Sequence, residues 1–163
     1  MDQNDKVGFR DRVIGTIEKD QKKLYLTALA ITKNPHLAED AMQEAFVKVL
    51  KNYDTLRSFE YLTTWITRVL INECKRVLRK HKKEQTVDFI PETQSIDFND
   101  EEIMFFDMIS NLSVNDKTVV TLRFFNGYDL NNIAIILGIP LSTVKSRLYR
   151  ALEKLREADQ NEY

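Results

Sequence analysis

Apolar residues recur at helical spacing along most of this 163-residue chain. Residues 8–33 place Phe9, Val13, Ile14 and Ile17, then Leu24, Tyr25, Ala28, Leu29 and Ile31, along one long helix that Asn34-Pro35 ends. From about Leu37 a second helix buries Ala38, Ala41, Met42, Ala45, Phe46, Val49 and Leu50. Its other side carries Glu39, Asp40, Gln43, Glu44 and Lys48, which read on their own as a solvated face. A third pattern, Tyr61 to Lys80, uses Leu62, Trp65, Ile66, Val69, Leu70, Cys74 and Leu78. Periodicity lapses over residues 84–102, where Pro91 and the acids predict an extended spacer with a local anchor at Phe89-Ile90 or Phe98. Helix resumes over Ile103–Asn111 and Asp116–Phe125 and stops at Asn126-Gly127.

The last stretch, Asp129 to Arg156, is the most organised. One ladder is Leu130, Ile133, Ala134 and Leu137; the next is Val144, Leu148, Ala151, Leu152 and Leu155. Between them Gly138-Ile139-Pro140 breaks the helix, since Gly suits a left-handed turn and Pro cannot continue the ladder. Ser142 stands where an N-cap is expected. Two short helices about a tight turn predict a helix-turn-helix. The second helix leaves Thr143, Lys145, Ser146, Arg147, Tyr149, Arg150 and Lys154 off its apolar face, with Glu153 its one internal acid. Lys and Arg neutralise phosphate or pair with guanine, and Ser and Thr reach base edges or phosphates. A helical hairpin with a solvated basic face would carry the same pattern.

Composition sharpens this picture. Apolar residues make up 43% of the chain, and four Gly with three Pro agree with an all-α fold. The net charge of -1 excludes a uniformly basic nucleic-acid coat but hides an asymmetry. Residues 1–80 hold 15 Lys and Arg against 11 Asp and Glu; residues 81–102 hold 2 against 7; residues 103–163 hold 7 of each. The expectation is two small helical domains, 1–83 and 103–163, joined by a flexible acidic linker, 84–102. Some 20 flexible residues reach about 25 Å on average and about 65–70 Å when stretched. Cys74 is the only cysteine, so neither an internal disulfide nor a cysteine zinc site can form. No apolar run approaches a membrane span, and the N-terminus is no signal peptide, so the chain reads as soluble and cytoplasmic with no direct membrane insertion. His36 and His81 sit in no ligand motif, and no nucleophile, metal cluster or Gly-rich phosphate loop is evident, so neither an enzyme nor a cofactor is expected.

The third helix mixes Arg68, Asn72, Lys75, Arg76, Arg79 and Lys80 with aromatics beside it, Tyr53, Phe59 and Tyr61. Rings that stack on bases and cations that track phosphates form a single-strand platform, although aromatics beside a helix also serve as core. Trp65, among Leu62, Ile66 and Val69, reads as core.

Two patches then point the same way. The run LRFFNGYDLNNIAIILGIPLSTVKSRLYRALEKLR resembles the fourth conserved region of group IV, or extracytoplasmic-function, sigma factors of the sigma-70 family. AEDAMQEAFVKVLKNYD, followed by TTWITRVLINECKRVLRK, resembles their second region. The order and distance of the patches match the family across nearly the whole chain. Two positions depart from it: Asp129-Leu130-Asn131-Asn132 replaces the usual acidic and aromatic pair, and Asn111-Leu112-Ser113-Val114 lacks a common Pro.

The resemblance implies a promoter-specificity subunit that binds core RNA polymerase, at the β′ clamp helices and the β subunit, and directs initiation at a dedicated, stress-responsive promoter set. It also implies an anti-sigma factor as a partner. Asp40, Gln43 and Glu44 fall on the polymerase-binding face. Asn72 falls on a promoter contact, and Asp54–Tyr61, including Phe59 and Tyr61, falls on the loop that captures a flipped −10 base. Arg68, Lys75, Arg76 and Arg79 become phosphate contacts. Lys145, Ser146, Tyr149 and Arg150 fall on major-groove contacts to the −35 element, with Ser142, Thr143 and Arg147 beside them and Arg123 on a phosphate. The alternative from another class is a dimeric helix-turn-helix repressor or activator, with residues 1–80 sensing or dimerising; a helical interaction protein that reads no promoter of its own is a third.

Overall fold

Lys33, Asn34 and Pro35 make the first corner. Lys33 takes a left-handed conformation at φ 55°. The Asn34 side chain accepts hydrogen bonds from the amides of His36 (2.9 Å) and Leu37 (3.2 Å). Pro35 takes the first helical position, where its missing N–H leaves nothing unsatisfied. This corner separates α1 (Gln3–Thr32) from α2 (Pro35–Asn52), and two single 3-10 turns, Tyr53–Thr55 and Phe59–Tyr61, lead into α3 (Leu62–Glu84). The computed structural model describes residues 3–84 and 98–161. Most of the expected acidic spacer, with Phe89 and Ile90, lies outside the described residues.

Helix resumes earlier than periodicity predicted. Asn99 and Glu102 form a reciprocal cap, with the Glu102 amide donating to Asn99 Oδ1 (2.8 Å) and the Asn99 amide to Glu102 Oε2 (3.1 Å). That cap starts α4 (Asp100–Ile109) three residues ahead of Ile103. Ser113 caps α5 (Val114–Val120), which runs into a π turn over Thr121–Phe125. Then come α6 (Leu130–Leu137) and α7 (Leu141–Asn161). Among the described residues all regular structure is helical, in agreement with the all-α expectation.

α2 packs on α1 and α3 to form an N-terminal unit around Val13, Ala28, Ala41, Ala45, Val49, Ile66, Leu70 and Cys74, all fully or almost fully buried. α5 and α6 each pack on α7, with Val119, Leu122, Ile133, Ile136 and Val144 buried. These five residues belong to the same apolar cluster as the N-terminal core, so the two units are packed directly together.

The junction lies between α1 and α5 and between α3 and α6. Asn126 Nδ2 donates to Thr27 Oγ1 (3.0 Å), the hydroxyls of Thr67 and Tyr128 share a hydrogen bond (2.9 Å), and Lys33 donates to the Ser110 carbonyl (2.8 Å). Ala30 of α1 joins a second cluster with Ile109, Leu112, Val120 and Ala151. Ile71 lies on the α3 stripe between Thr67 and Lys75, away from the expected apolar set, yet it is fully buried. Lys117 is buried too, and burial, with the nearby Lys33 charge second, pushes its ammonium down to about 8.

Candidate nucleic-acid interface

Gly138 ends α6 at φ 63°, the left-handed turn its lack of a Cβ permits. The amides of Thr143 and Val144 donate to the Pro140 carbonyl (3.0 and 3.2 Å), so α7 begins at Leu141. Ser142 therefore lies inside the first turn and is not the N-cap. Pro140, whose carbonyl accepts the first helical bonds, stands at the capping position two residues before Ser142.

On α7, Lys145, Ser146, Tyr149 and Arg150 are exposed, Tyr149 at 74%. Thr143 and Arg147 are half-buried, and the Ser146 hydroxyl donates to the Ser142 carbonyl (2.9 Å). Arg150 is engaged at one edge. Its Nε and Nη2 donate to Oδ2 (3.0 Å) and Oδ1 (2.6 Å) of Asp116, a carboxylate buried in α5. Hydrogen bonds from Arg150 first, then its charge together with the Ser113 and Lys154 contacts, outweigh burial and hold the Asp116 carboxyl below its ordinary value. Arg123 donates through Nη1 to the Tyr128 carbonyl (3.1 Å) and so braces the turn before α6.

On α3, Arg68 and Asn72 are exposed and Lys75 is half-buried. A Cβ at Gly138 would meet Arg68 Nη2 at 3.8 Å, which sets this guanidinium beside the α6–α7 turn. Burial lowers the Lys75 ammonium, and the charges of Arg147 and Arg79 lower it further. The structure thus brings basic residues expected on two different promoter elements up to each other across the junction.

Arg76 leaves that group. Its Nε donates to Glu73 Oε2 (2.6 Å), and Lys48 bonds the other oxygen of the same buried carboxylate. Burial pushes the Glu73 carboxyl up, but the Lys48 and Arg76 hydrogen bonds and charges prevail and hold it below the usual range. Arg76 also lines an open groove of about 410 Å³ with Asp40, Gln43, Glu44, Lys80 and His81. Asp40, Gln43 and Glu44 are all exposed along its α2 wall.

Phe59 is stacked on Phe9 of α1, ring centroids 4.1 Å apart, and the Arg12 guanidinium sits 4.2 Å over the Phe59 ring. Phe59 stays 36% exposed and Tyr61 58%, so Tyr61 is the more open ring of the loop. Trp65 is half-buried against the main core. The sequence reading missed Phe9 and Arg12 as supports of the loop, Glu73 as the anchor of Arg76, and Asp116 as the partner of Arg150. For Asp116 and Glu73 the available sign was a single acid within an otherwise apolar or basic helical stretch.

Residues 16–84 match the family model of sigma-70 region 2, and residues 103–155 match that of sigma-70 region 4. The sigma factor SigV of Bacillus subtilis is 31% identical over 149 residues, covering 88% of this chain and 89% of that protein. This chain belongs to the sigma-70 family of RNA polymerase sigma factors. The chain is also similar to the extracytoplasmic-function sigma factor SigW of Bacillus subtilis, 26% identical over 93% of this chain and 91% of that protein. Two solved structures share the fold. RpoE from Bartonella quintana, in complex with the anti-sigma factor NepR, matches with TM-score 0.70 and 24% identity over 88% of this chain and 93% of that one. CnrH, in complex with the cytosolic domain of CnrY, matches with TM-score 0.67 and 17% identity over 93% and 89%. As a sigma factor the chain is a promoter-specificity subunit in transcription initiation. No helix among the described residues is long and apolar enough to cross a membrane.

Proposed function

We propose that residues 1–83 dock core polymerase and hold the −10 strand, while residues 103–163 read the −35 element through α7. The observation that carries this reading is the separation of two unlike surfaces on one chain. An acidic and amide ridge, Asp40, Gln43 and Glu44, stands exposed on α2, whereas exposed Lys145, Ser146 and Tyr149 stand on α7. The ridge takes the clamp helices of the β′ subunit. Tyr61, Asn72, Arg68 and Lys75 take the −10 strand, with Phe59 as the buttress beneath the loop. Arg76 is better suited to the polymerase groove that it lines with Asp40 and Glu44. The helix-turn-helix enters the major groove with Lys145, Ser146, Tyr149 and Arg150, flanked by Ser142, Thr143 and Arg147, and Arg123 approaches a phosphate.

In the packed arrangement the Arg147 charge acts on Lys75 across the junction, so on this reading duplex and single strand are both held only once the units part. Polymerase binding supplies that separation. An anti-sigma factor that favours the packed arrangement would keep the protein inactive until a stress signal releases it. Two solved relatives are in fact bound to an anti-sigma factor or to a cytosolic domain.

The test is Asp40→Lys with Glu44→Lys. Both side chains are exposed, so helicity and melting are expected to stay native while core binding and promoter-directed transcription fall together. Native core binding by this double variant would remove the ridge from the interface.

A further inference from the structure

The geometry points to Asp116 as a positioning residue for −35 recognition: its carboxylate fixes the plane of the Arg150 guanidinium and turns the outer edge of that fork toward a guanine. The inference rests on the reading of Arg150 as a base contact. Asp116 is buried in the first turn of α5, with its side chain 1% exposed, while Arg150 on α7 keeps 53% of its side chain in solvent. An Asp so enclosed cannot reach DNA itself, so any effect it has on base preference passes through its α7 partners, Arg150 at 2.6 Å before Lys154 at 3.6 Å.

The stereochemistry of the pair makes this specific. A guanidinium has five N–H donors in one rigid plane. Asp116 occupies the edge formed by Nε (3.0 Å) and Nη2 (2.6 Å). One hydrogen on Nη2 and both on Nη1 remain. The Nη1–Nη2 edge is left whole, and that edge can donate in parallel to O6 and N7 of guanine in the major groove. An unsupported arginine must give up its rotamer freedom when it docks. Here the carboxylate fixes the fork beforehand. The carboxylate has a second cation, Lys154 Nζ, 3.6 Å from Oδ2, and the Asp116 backbone is fixed by its amide donating to Ser113 Oγ (3.2 Å).

The experiment uses polymerase reconstituted with full-length protein on a library in which each −35 position is varied, with Arg150→Ala, Asp116→Asn and Asp116→Glu compared with wild type. Arg150→Ala is expected to lose about 10-fold or more of discrimination at one guanine-containing position. Asp116→Asn, which keeps the shape but not the charge, is expected to lose discrimination several-fold at that same position and no other. Asp116→Glu retains the charge and is expected to keep part of the preference. Melting curves accompany each variant. If Asp116→Asn lowers the melting temperature but leaves preference at every position as in wild type, Asp116 is structural only and the inference fails. Should Asp116→Asn not fold, Asp116→Glu decides: a change at the Arg150 position with native-like melting supports the inference, and an unchanged profile overturns it. If Arg150→Ala weakens every −35 sequence equally, Arg150 reads no base; that outcome overturns the underlying reading and the inference with it.

Discussion

Two buried carboxylates, Glu73 and Asp116, each hold one arginine that the sequence marked for DNA, beside a lysine. Glu73 takes Lys48 and Arg76; Asp116 takes Arg150 and Lys154. Both carboxyls lie below their ordinary values, so both stay ionised in the folded protein where the unfolded chain would protonate. A lowered carboxyl contributes stability that is fully present above the unfolded value, about 4.3 for Glu and 3.9 for Asp, and is lost as pH falls through the folded value. The melting temperature is therefore expected to drop steeply below about pH 4.5. Glu73→Gln is expected to melt lower than wild type at pH 7, with the gap narrowing toward pH 3. A gap that stays constant with pH would show that Glu73 acts by packing alone. At this scale the sequence made the cations legible and their partners illegible. Arg150 and Asp116 are 34 residues apart, and their meeting depends on how α5 crosses α7.

At the scale of elements the helix-turn-helix was the most legible part, because Gly138, Ile139 and Pro140 act locally. The turn formed as read, but the cap did not. Pro140 starts α7 ahead of Ser142, and the Asn99–Glu102 box starts α4 ahead of Ile103. Both shifts come from side-chain-to-backbone and backbone geometry that hydrophobic period does not record. The π turn over Thr121–Phe125 left no sign in the hydrophobic period either, where the Asn126 amide bonds the Thr121 carbonyl; only its exit was marked, by the Gly127 that turns left-handed at φ 75° and lets the Tyr128 amide reach the Leu122 carbonyl. Gly138 gives the prediction at this scale. An added Cβ there meets nothing closer than Arg68 Nη2 at 3.8 Å, so space is not the obstacle. The left-handed φ of 63° is, and Gly138→Ala is expected to cost about 1–2 kcal/mol. Equilibrium unfolding checks this. Loss of −35 binding greater than the loss of stability would add a role in seating α7; no loss of stability would mean the turn rearranges freely.

For the whole molecule, two helical units were legible, but their direct packing was not, since the junction uses few residues with no local pattern. Ile71 and Ala30 were available signs, apolar residues outside the expected sets of α3 and α1 that are buried in the fold. That junction sets the last prediction. Thr67 with Tyr128 and Thr27 with Asn126 hold the units together, in an arrangement where the Arg147 charge helps lower the Lys75 ammonium. In the mechanism we propose, promoter reading uses a different arrangement, with the units set apart at a distance fixed by polymerase. The 13 residues from 85 to 97 can span at most about 45–50 Å between Glu84 and Phe98, and alone they would fix no distance below that limit. Each base pair added between the −35 and −10 elements moves one site by about 3.4 Å and turns it by about a tenth of a turn. Transcription with reconstituted polymerase, measured as spacing is varied one base pair at a time, is therefore expected to show a sharp optimum. Two domains held on a rigid enzyme cannot follow both the shift and the rotation. Thr67→Val with Asn126→Ala loosens the packed arrangement without touching the groove beside α2, so it should raise activity at the optimum or leave it unchanged, with the optimum at the same spacing. A flat response to spacing would mean that polymerase does not fix the two reading units, and a requirement for an inverted −35 repeat would mean that two copies of α7 bind together.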